Sequence, residues 1–239
     1  MKNITKIYQN HYKSFEKFKP LGIRYPTEAL VVYVSNLRKN KNNYFADQGK
    51  EYSANNNFHG NALDLGFGSI SNLLMLRDKG FSCYGAEVSD EAVKRGRFIL
   101  KKKNITDIKL KTFRKSKLKY KKNFFDIISG MQCIYYNLNL KKFIDEEIYR
   151  ILKPQGKFIF SFFSKDHSYV KWSSKYKKNI FYFNKLHPNK RLYGSKYYFV
   201  KDKKKLIKLF NKFKKVKVFK TTSNQTHIKE NWWYIVGEK

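Results

Sequence analysis

No stretch of this chain approaches the ~18 consecutive apolar residues that a membrane-spanning helix needs. The N-terminus is basic and polar, without a signal-peptide pattern, so a cytoplasmic location is expected. Cysteine is scarce. Cys83 and Cys133 are the only two, and they form no Cys-x-x-Cys pair. That excludes a disulfide framework and a cysteine metal site, and the two are expected to be buried free thiols. No metal-ligand spacing occurs elsewhere, so no metal is expected. Acidic residues are few, 18 against 52 Lys and Arg, which leaves a net charge of +34 over 239 residues. Arginine is itself rare at 8 of those 52, and proline at 4 and glycine at 12 are sparse. Hydrophobic residues are not lacking. At 41% of the chain, with 18% aromatic, they exclude a disordered polymer and suffice for one large core.

A charge of +34 suggests a polyanion partner. The composition behind it points elsewhere. Lys, Asn, Ile, Phe and Tyr are all abundant while Gly and Pro are not, as codon bias toward A and T would produce. Dedicated nucleic-acid readers also favour Arg, whose planar fork makes bidentate contacts. Genome bias is therefore the leading reading of the charge. Attraction to an anionic substrate or membrane surface, and nucleic-acid binding, stand behind it.

The sequence alternates between two periodicities. Residues 1–24 read as a polar, aromatic arm. Pro26 opens a helix that ends near Arg38, and residues 39–59 read as a long loop. Residues 61–65 form a strand, 69–79 a helix closed by Gly80, and 81–87 a second strand. Ser89 caps a helix to about Lys102, with Asp90 and Glu91 in its first turn. Strands follow at 108–113 and 124–129, then a helix over 138–152, a turn at Lys153-Pro154-Gln155-Gly156 and a buried strand at 157–163. Residues 164–198 break the pattern and read as an insertion or lid. A helix over 201–213 and strands at 216–220 and 232–237 close the chain. Strands alternating with helices imply a doubly wound α/β sheet.

The chemistry centres on Asp64-Leu65-Gly66-Phe67-Gly68, which follows the first strand. Gly-x-Gly there makes a tight turn and lets a ligand approach the backbone; alone, it fits a plain strand-to-helix turn equally well. Two further features fall at strand ends, where open α/β sheets bind ligands. Glu87 ends the second strand, roughly 20 residues past the glycines, where an acid suits a ribose diol. Gly130-Met131-Gln132-Cys133-Ile134-Tyr135-Tyr136 follows the fourth.

This pattern resembles the class I S-adenosylmethionine-dependent methyltransferases over about residues 60–163, and more loosely in the closing strands. Leu63–Gly68 is similar to the family's first motif, with Ser69 or Ile70 at its third glycine position. Phe125-Asp126-Ile127-Ile128 resembles its Phe-Asp-x-Ile strand. Arg150-Ile151-Leu152-Lys153-Pro154-Gln155-Gly156 resembles its Arg-x-Leu-Lys-Pro-Gly-Gly turn, with Gln155 for the first glycine. The resemblance implies a seven-stranded, mostly parallel sheet of order 3-2-1-4-5-7-6 whose last strand is antiparallel. With the reading of the chain in order, this gives a domain over residues 60–239 with an insertion at about 164–198, preceded by an arm, helix and loop over 1–59. The resemblance also implies S-adenosylmethionine as cofactor, held by Asp64, Gly66, Gly68, Glu87, Val88, Gly130 and Met131, with Tyr25 and Arg24 closing over it. One departure stands out. Many relatives carry an acid after strand three that contacts the adenine amino group, and this chain has Arg114, Lys115 and Ser116 there.

The implied reaction is direct displacement at the sulfonium methyl, in which positioning and desolvation do most of the work. His167, beside Asp166, and Tyr135, beside Tyr136, are the candidate catalytic residues, on the expectation that they face an acceptor; a solvated loop histidine and packed tyrosines are the alternatives. The expected acceptor is a small molecule or carbohydrate. An RNA or protein methyltransferase would instead gather its lysines around the pocket mouth. A non-catalytic binding module and, more remotely, a nicotinamide oxidoreductase complete the alternatives.

Overall fold

The computed structural model describes residues 5, 6, 9, 10, 25–37, 58–114, 116–223 and 230–239. Arg24 and nearly all of the expected 39–59 loop lie outside them. Helix α1 spans Glu28–Asn36. It starts after Thr27 rather than at Pro26, and the Thr27 N–H donates to Asn72 Oδ1 at 2.9 Å, which ties α1 to the helix after the glycine motif. Then β1 (Asn61–Leu65), α2 (Ser71–Asp78), β2 (Ser82–Glu87), α3 (Asp90–Lys102) and β3 (Lys109–Thr112) alternate strand with helix, and β4 (Phe125–Gly130) follows β3 with no helix between them. Ser89 caps α3, its Oγ accepting the Ala92 N–H at 3.3 Å, and Lys101 and Lys102 lie in the last turn, where the helix dipole favours cations. Helix α4 covers residues 140–151, with Phe143–Ile148 wound wider as a π-helix.

Strand β5 runs Leu152–Phe163. Small elements come next: α5 (Ser168–Lys171), β6 (Ser173–Lys177), β7 (Ile180–Phe183) and β8 (Lys196–Tyr198). The chain closes with α6 (Lys203–Leu209), β9 (Lys214–Ser223) and β10 (Glu230–Glu238). The main sheet has the order β3-β2-β1-β4-β5-β10-β9. Strands β1 to β5 are parallel, and β10 is antiparallel to both β5 and β9. This is the expected order with an antiparallel final strand. Among the described residues no helix is long and apolar enough to cross a membrane.

Two sequence expectations need correction. Lys153–Gly156 is not a turn ahead of the strand but a bulge within β5. Phe125 pairs with Leu152 and Ile127 with Lys157, so four residues loop out between neighbouring rungs. Gln155 takes the left-handed conformation there, φ 59°, which explains why a glycine suits this position. Residues 164–198 are not short of regular structure either. They fold α5 and a three-stranded antiparallel sheet, β6-β7-β8. Its strands are three to five residues long, β6 and β8 mixing Lys with aromatics and β7 wholly apolar and aromatic, so no clean alternation betrays them. Phe183 and Tyr197 from this sheet are fully buried in the same core as Phe163 and Trp232.

Candidate functional site

The motif acids and glycines meet where β1, β2 and β4 end side by side. Gly66 has φ 63°, and a Cβ there would stand 2.6 Å from the Cys133 Cβ, so both its conformation and the approach of the β4 loop require glycine. The Gly66 N–H donates to Ala86 O at 2.8 Å, and Cys133 Sγ donates to Leu65 O at 3.1 Å. Three strand ends are thus stitched around one turn. At the start of α2, Ile70 is left-handed with φ 61° although it is β-branched. This is one of the two candidates for the motif's third-glycine position, and its side chain is fully buried beneath that uncommon backbone conformation.

Asp64 lies beneath this turn, fully buried, with Oδ1 accepting from Ser129 Oγ at 2.6 Å. Burial pushes its carboxyl up to about 7, with Ser129 and Asn72 pulling it back and Glu87 adding to the rise. Glu87 Oε1 accepts the Val88 N–H at 2.8 Å. Burial raises this carboxyl to about 7 as well, opposed by the Val88, Gly68 and Ser89 amides. The Gly68 amide therefore acts on Glu87, and the two motif elements form one unit.

Beside them opens a cavity of about 370 Å³, within the range of small-ligand sites. Gly66, Glu87, Val88 and Met131 line it. Asp64, Gly68 and Gly130 do not; they lie one or two residues from lining positions. Tyr25 is 79% exposed and also absent from the wall. Thr5, from the N-terminal arm, is on it. The wall includes Ser116, named above only for the acid missing there, and residues that sequence reasoning gave no site role: Phe113, Asn137 and Phe143. Their signal was weak, because Phe113, Ser116 and Asn137 sit in connections whose path depends on how β3 and β4 end, and Phe143 reads as one more apolar residue of a helix.

His167 and Tyr135 do not line the cavity, contrary to the expectation that they face an acceptor. They occupy a buried aromatic cluster instead. His167 is 1% exposed, with its ring 4.7 Å from that of Phe163 and 4.6 Å from that of Trp232. Its Nδ1 accepts the Tyr169 N–H at 3.0 Å. Burial, with nearby His187, pushes it down to about 4, so the imidazole is neutral and a poor base near pH 7. Tyr135 packs 4.4 Å from Phe163 and is equally buried. Asp166 is engaged by Lys220 at 2.6 Å. The physical reason is the small sheet β6-β7-β8, which covers the end of β5 and fills the space a substrate was expected to take.

The Phe125–Ile128 strand and the Lys153–Gly156 segment do not reach the cavity. They meet each other: Lys153 Nζ lies 2.9 and 2.8 Å from the two Asp126 oxygens, and Asp126 Oδ2 also accepts the Asn61 N–H at 2.7 Å. These signature residues brace the sheet.

Comparison with known proteins bears on the family and the fold. Residues 37–214 match the family described as methyltransferase domain. No protein of curated function matches the chain by sequence. Among solved structures, a SAM-dependent methyltransferase from Methanosarcina mazei is 18% identical with a TM-score of 0.59, covering 77% of this chain and 93% of that one. A SAM-dependent methyltransferase from Thermotoga maritima, described as a possible histamine N-methyltransferase, is 18% identical with a TM-score of 0.60, covering 98% and 99%. Phosphoethanolamine N-methyltransferase 2 of Haemonchus contortus, in complex with phosphomonomethylethanolamine and S-adenosylhomocysteine, is 13% identical with a TM-score of 0.66; the match covers 100% of this chain and 60% of that one. At these identities the structural likeness speaks for the fold.

Proposed function

From the premise that the chain belongs to the methyltransferase domain family, which it matches over residues 37–214, we propose that this S-adenosylmethionine-dependent methyltransferase acts on a small molecule or carbohydrate-type acceptor. The observation that carries this is the cavity wall. It contains no lysine among the described residues, although 44 of the chain's residues are Lys. Its single basic member, Arg114, is engaged by Asp90 and the Val88 carbonyl. A polyanion acceptor needs several phosphate contacts, and the wall of this cofactor cavity offers no lysine for them. The phosphoethanolamine enzyme of similar fold, which holds a small amine ester, supports the same reading.

In this reading the Glu87 carboxylate accepts hydrogen bonds from a ribose diol. Gly66 lets the amino-acid end come close to the backbone, and Gly68 fixes Glu87 through its amide. Met131 supplies apolar wall at the end of β4, carried by Gly130, while Asp64 holds β1 to β4 through Ser129. Val88 flanks the ribose. The cofactor supplies the activated methyl group. The chain's own contribution is to align the partners and exclude water. Because His167 and Tyr135 are packed away, no proton-transfer role is assigned to them, and Tyr25 is left out of the binding set.

Incubation of the purified protein with methyl-labelled S-adenosylmethionine and a cell extract, split afterwards by size, tests the acceptor class. Label is expected in the low-molecular-weight fraction. Label confined to RNA or protein would overturn the proposal.

A further inference from the structure

The cavity has a second polar end with no carboxylate. Glu87 is the one acid among the described wall residues, and it lies at the end of β2. The wall runs along the sheet edge in strand order, from Gly66 after β1 through Glu87 on β2 to Phe113 and Ser116 after β3. Neighbouring strands stand about 4.8 Å apart. A nucleoside whose ribose is held at β2 therefore extends its base toward the end of β3.

That end is shaped for a flat ring. The Phe113 and Phe143 rings lie within 11° of parallel with centroids 6.4 Å apart, and both line the cavity. A ring sandwiched between two others needs roughly 7 Å, twice a carbon–carbon contact of about 3.5 Å. The two phenyl groups must part to open such a slot.

The polar edge beside it is fixed in orientation. Asn137 Oδ1 accepts the Asn139 N–H at 3.0 Å. Its amide nitrogen must then face the other way, and Nδ2 donates to Ser116 Oγ at 2.9 Å. A hydroxyl has one donor and two lone pairs. With one lone pair taken by Asn137, Ser116 keeps both an O–H and an acceptor site. A carboxylate in this place only accepts, so it favours the 6-amino group of adenine and repels a 6-oxo group. A hydroxyl can turn to serve either.

Resting on the reading of this cavity as the cofactor site, we propose that Phe113 and Phe143 clasp the cofactor's purine and that the Ser116–Asn137 pair reads its six-position edge, so that the site accepts a 6-oxo purine as well as adenine. The loss of the acid after β3 thus changes specificity without abolishing base recognition.

Calorimetric titration of the full chain with S-adenosylhomocysteine and S-inosylhomocysteine tests this. Affinities within about tenfold of each other are expected, since hydrogen bonds of the same order, about 1 kcal/mol, form in both cases. Asn137→Asp keeps the bond from Asn139 but makes Ser116 donate inward, leaving only acceptors for the purine. It should weaken the inosine compound about tenfold or more relative to the adenosine one. Phe143→Leu keeps an apolar side chain but removes one flat wall, and should weaken both compounds about two- to tenfold by the same factor. Circular dichroism checks that each variant is folded. Exclusion of the inosine compound by the unaltered protein, an unchanged ratio in Asn137→Asp, or unchanged affinity in folded Phe143→Leu would each overturn the proposal. Failure of S-adenosylhomocysteine itself to bind the folded protein would instead overturn the cofactor assignment of the cavity.

Discussion

Glu87 is 6% exposed, and its carboxyl is raised to about 7 by burial against the pull of three backbone amides. The raised value has a definite sign. Between its ordinary 4.5 and about 7 the folded protein holds a proton that the unfolded chain has released, so this group costs stability as pH rises through that window. Ligand binding runs the other way. A ribose diol donates to the ionised carboxylate, and a sulfonium nearby favours the same form. Affinity for S-adenosylmethionine should therefore rise from about pH 6 to about pH 8 and level off above. Glu87→Gln should flatten this profile and weaken binding about 10- to 100-fold, the worth of hydrogen bonds to a charged group. Titrations at three pH values would show it; an unchanged slope in the variant would remove Glu87 from the ribose site.

At the level of elements, the junction of β1, β4 and β5 depends on Asp126. This one carboxylate takes the Asn61 N–H and the Lys153 ammonium and thereby pins the bulge that opens β5. Gly60 precedes Asn61 because a Cβ there would stand 2.6 Å from Asp126 Oδ2, and its φ of 147° suits glycine alone. Asp126→Ala leaves a part-buried amide and an ammonium without their acceptor. It should lower stability by about 1–3 kcal/mol, seen in urea unfolding, with little change in cofactor affinity once the protein is folded. Loss of affinity in equal measure would mean that the junction also shapes the cavity.

For the whole molecule, the net charge of +34 is the dominant global property. Lysines occupy both edge strands: Lys109 and Lys111 on β3, Lys214, Lys215, Lys217 and Lys220 on β9. Charged edges resist pairing with other sheets. The same charge repels itself across the folded surface. Raising sodium chloride from about 50 to about 500 mM shortens the screening length from about 14 to about 4 Å and should raise the melting temperature by several degrees. A melting temperature that falls with salt would show that ion pairs such as Lys153–Asp126 outweigh the repulsion.

Local chemistry made much of this legible in the chain alone. Gly66 and Gly68, the Ser89 cap and the alternation of apolar runs are decided by backbone conformation and burial period, which a sequence carries directly. They implied a doubly wound α/β sheet, and spacing from the glycines pointed to the acid at the end of β2, while the seven-stranded order came from the family resemblance. What they left open depended on residues far apart. The short strands β6 to β8 acquire their structure by packing Phe183 and Tyr197 against Phe163 and Trp232. That packing is what turned His167 and Tyr135 from expected site residues into core. The Asp126–Lys153 pair spans 27 residues and joins two motifs that looked independent. Above all, the acid missing near Arg114 was visible as a gap, while the Ser116–Asn137 pair beside it spans 21 residues of sequence and exists only because β3 and β4 end on one side of the same sheet. Local backbone preferences write themselves into the order of residues; the meeting of side chains across the fold does not.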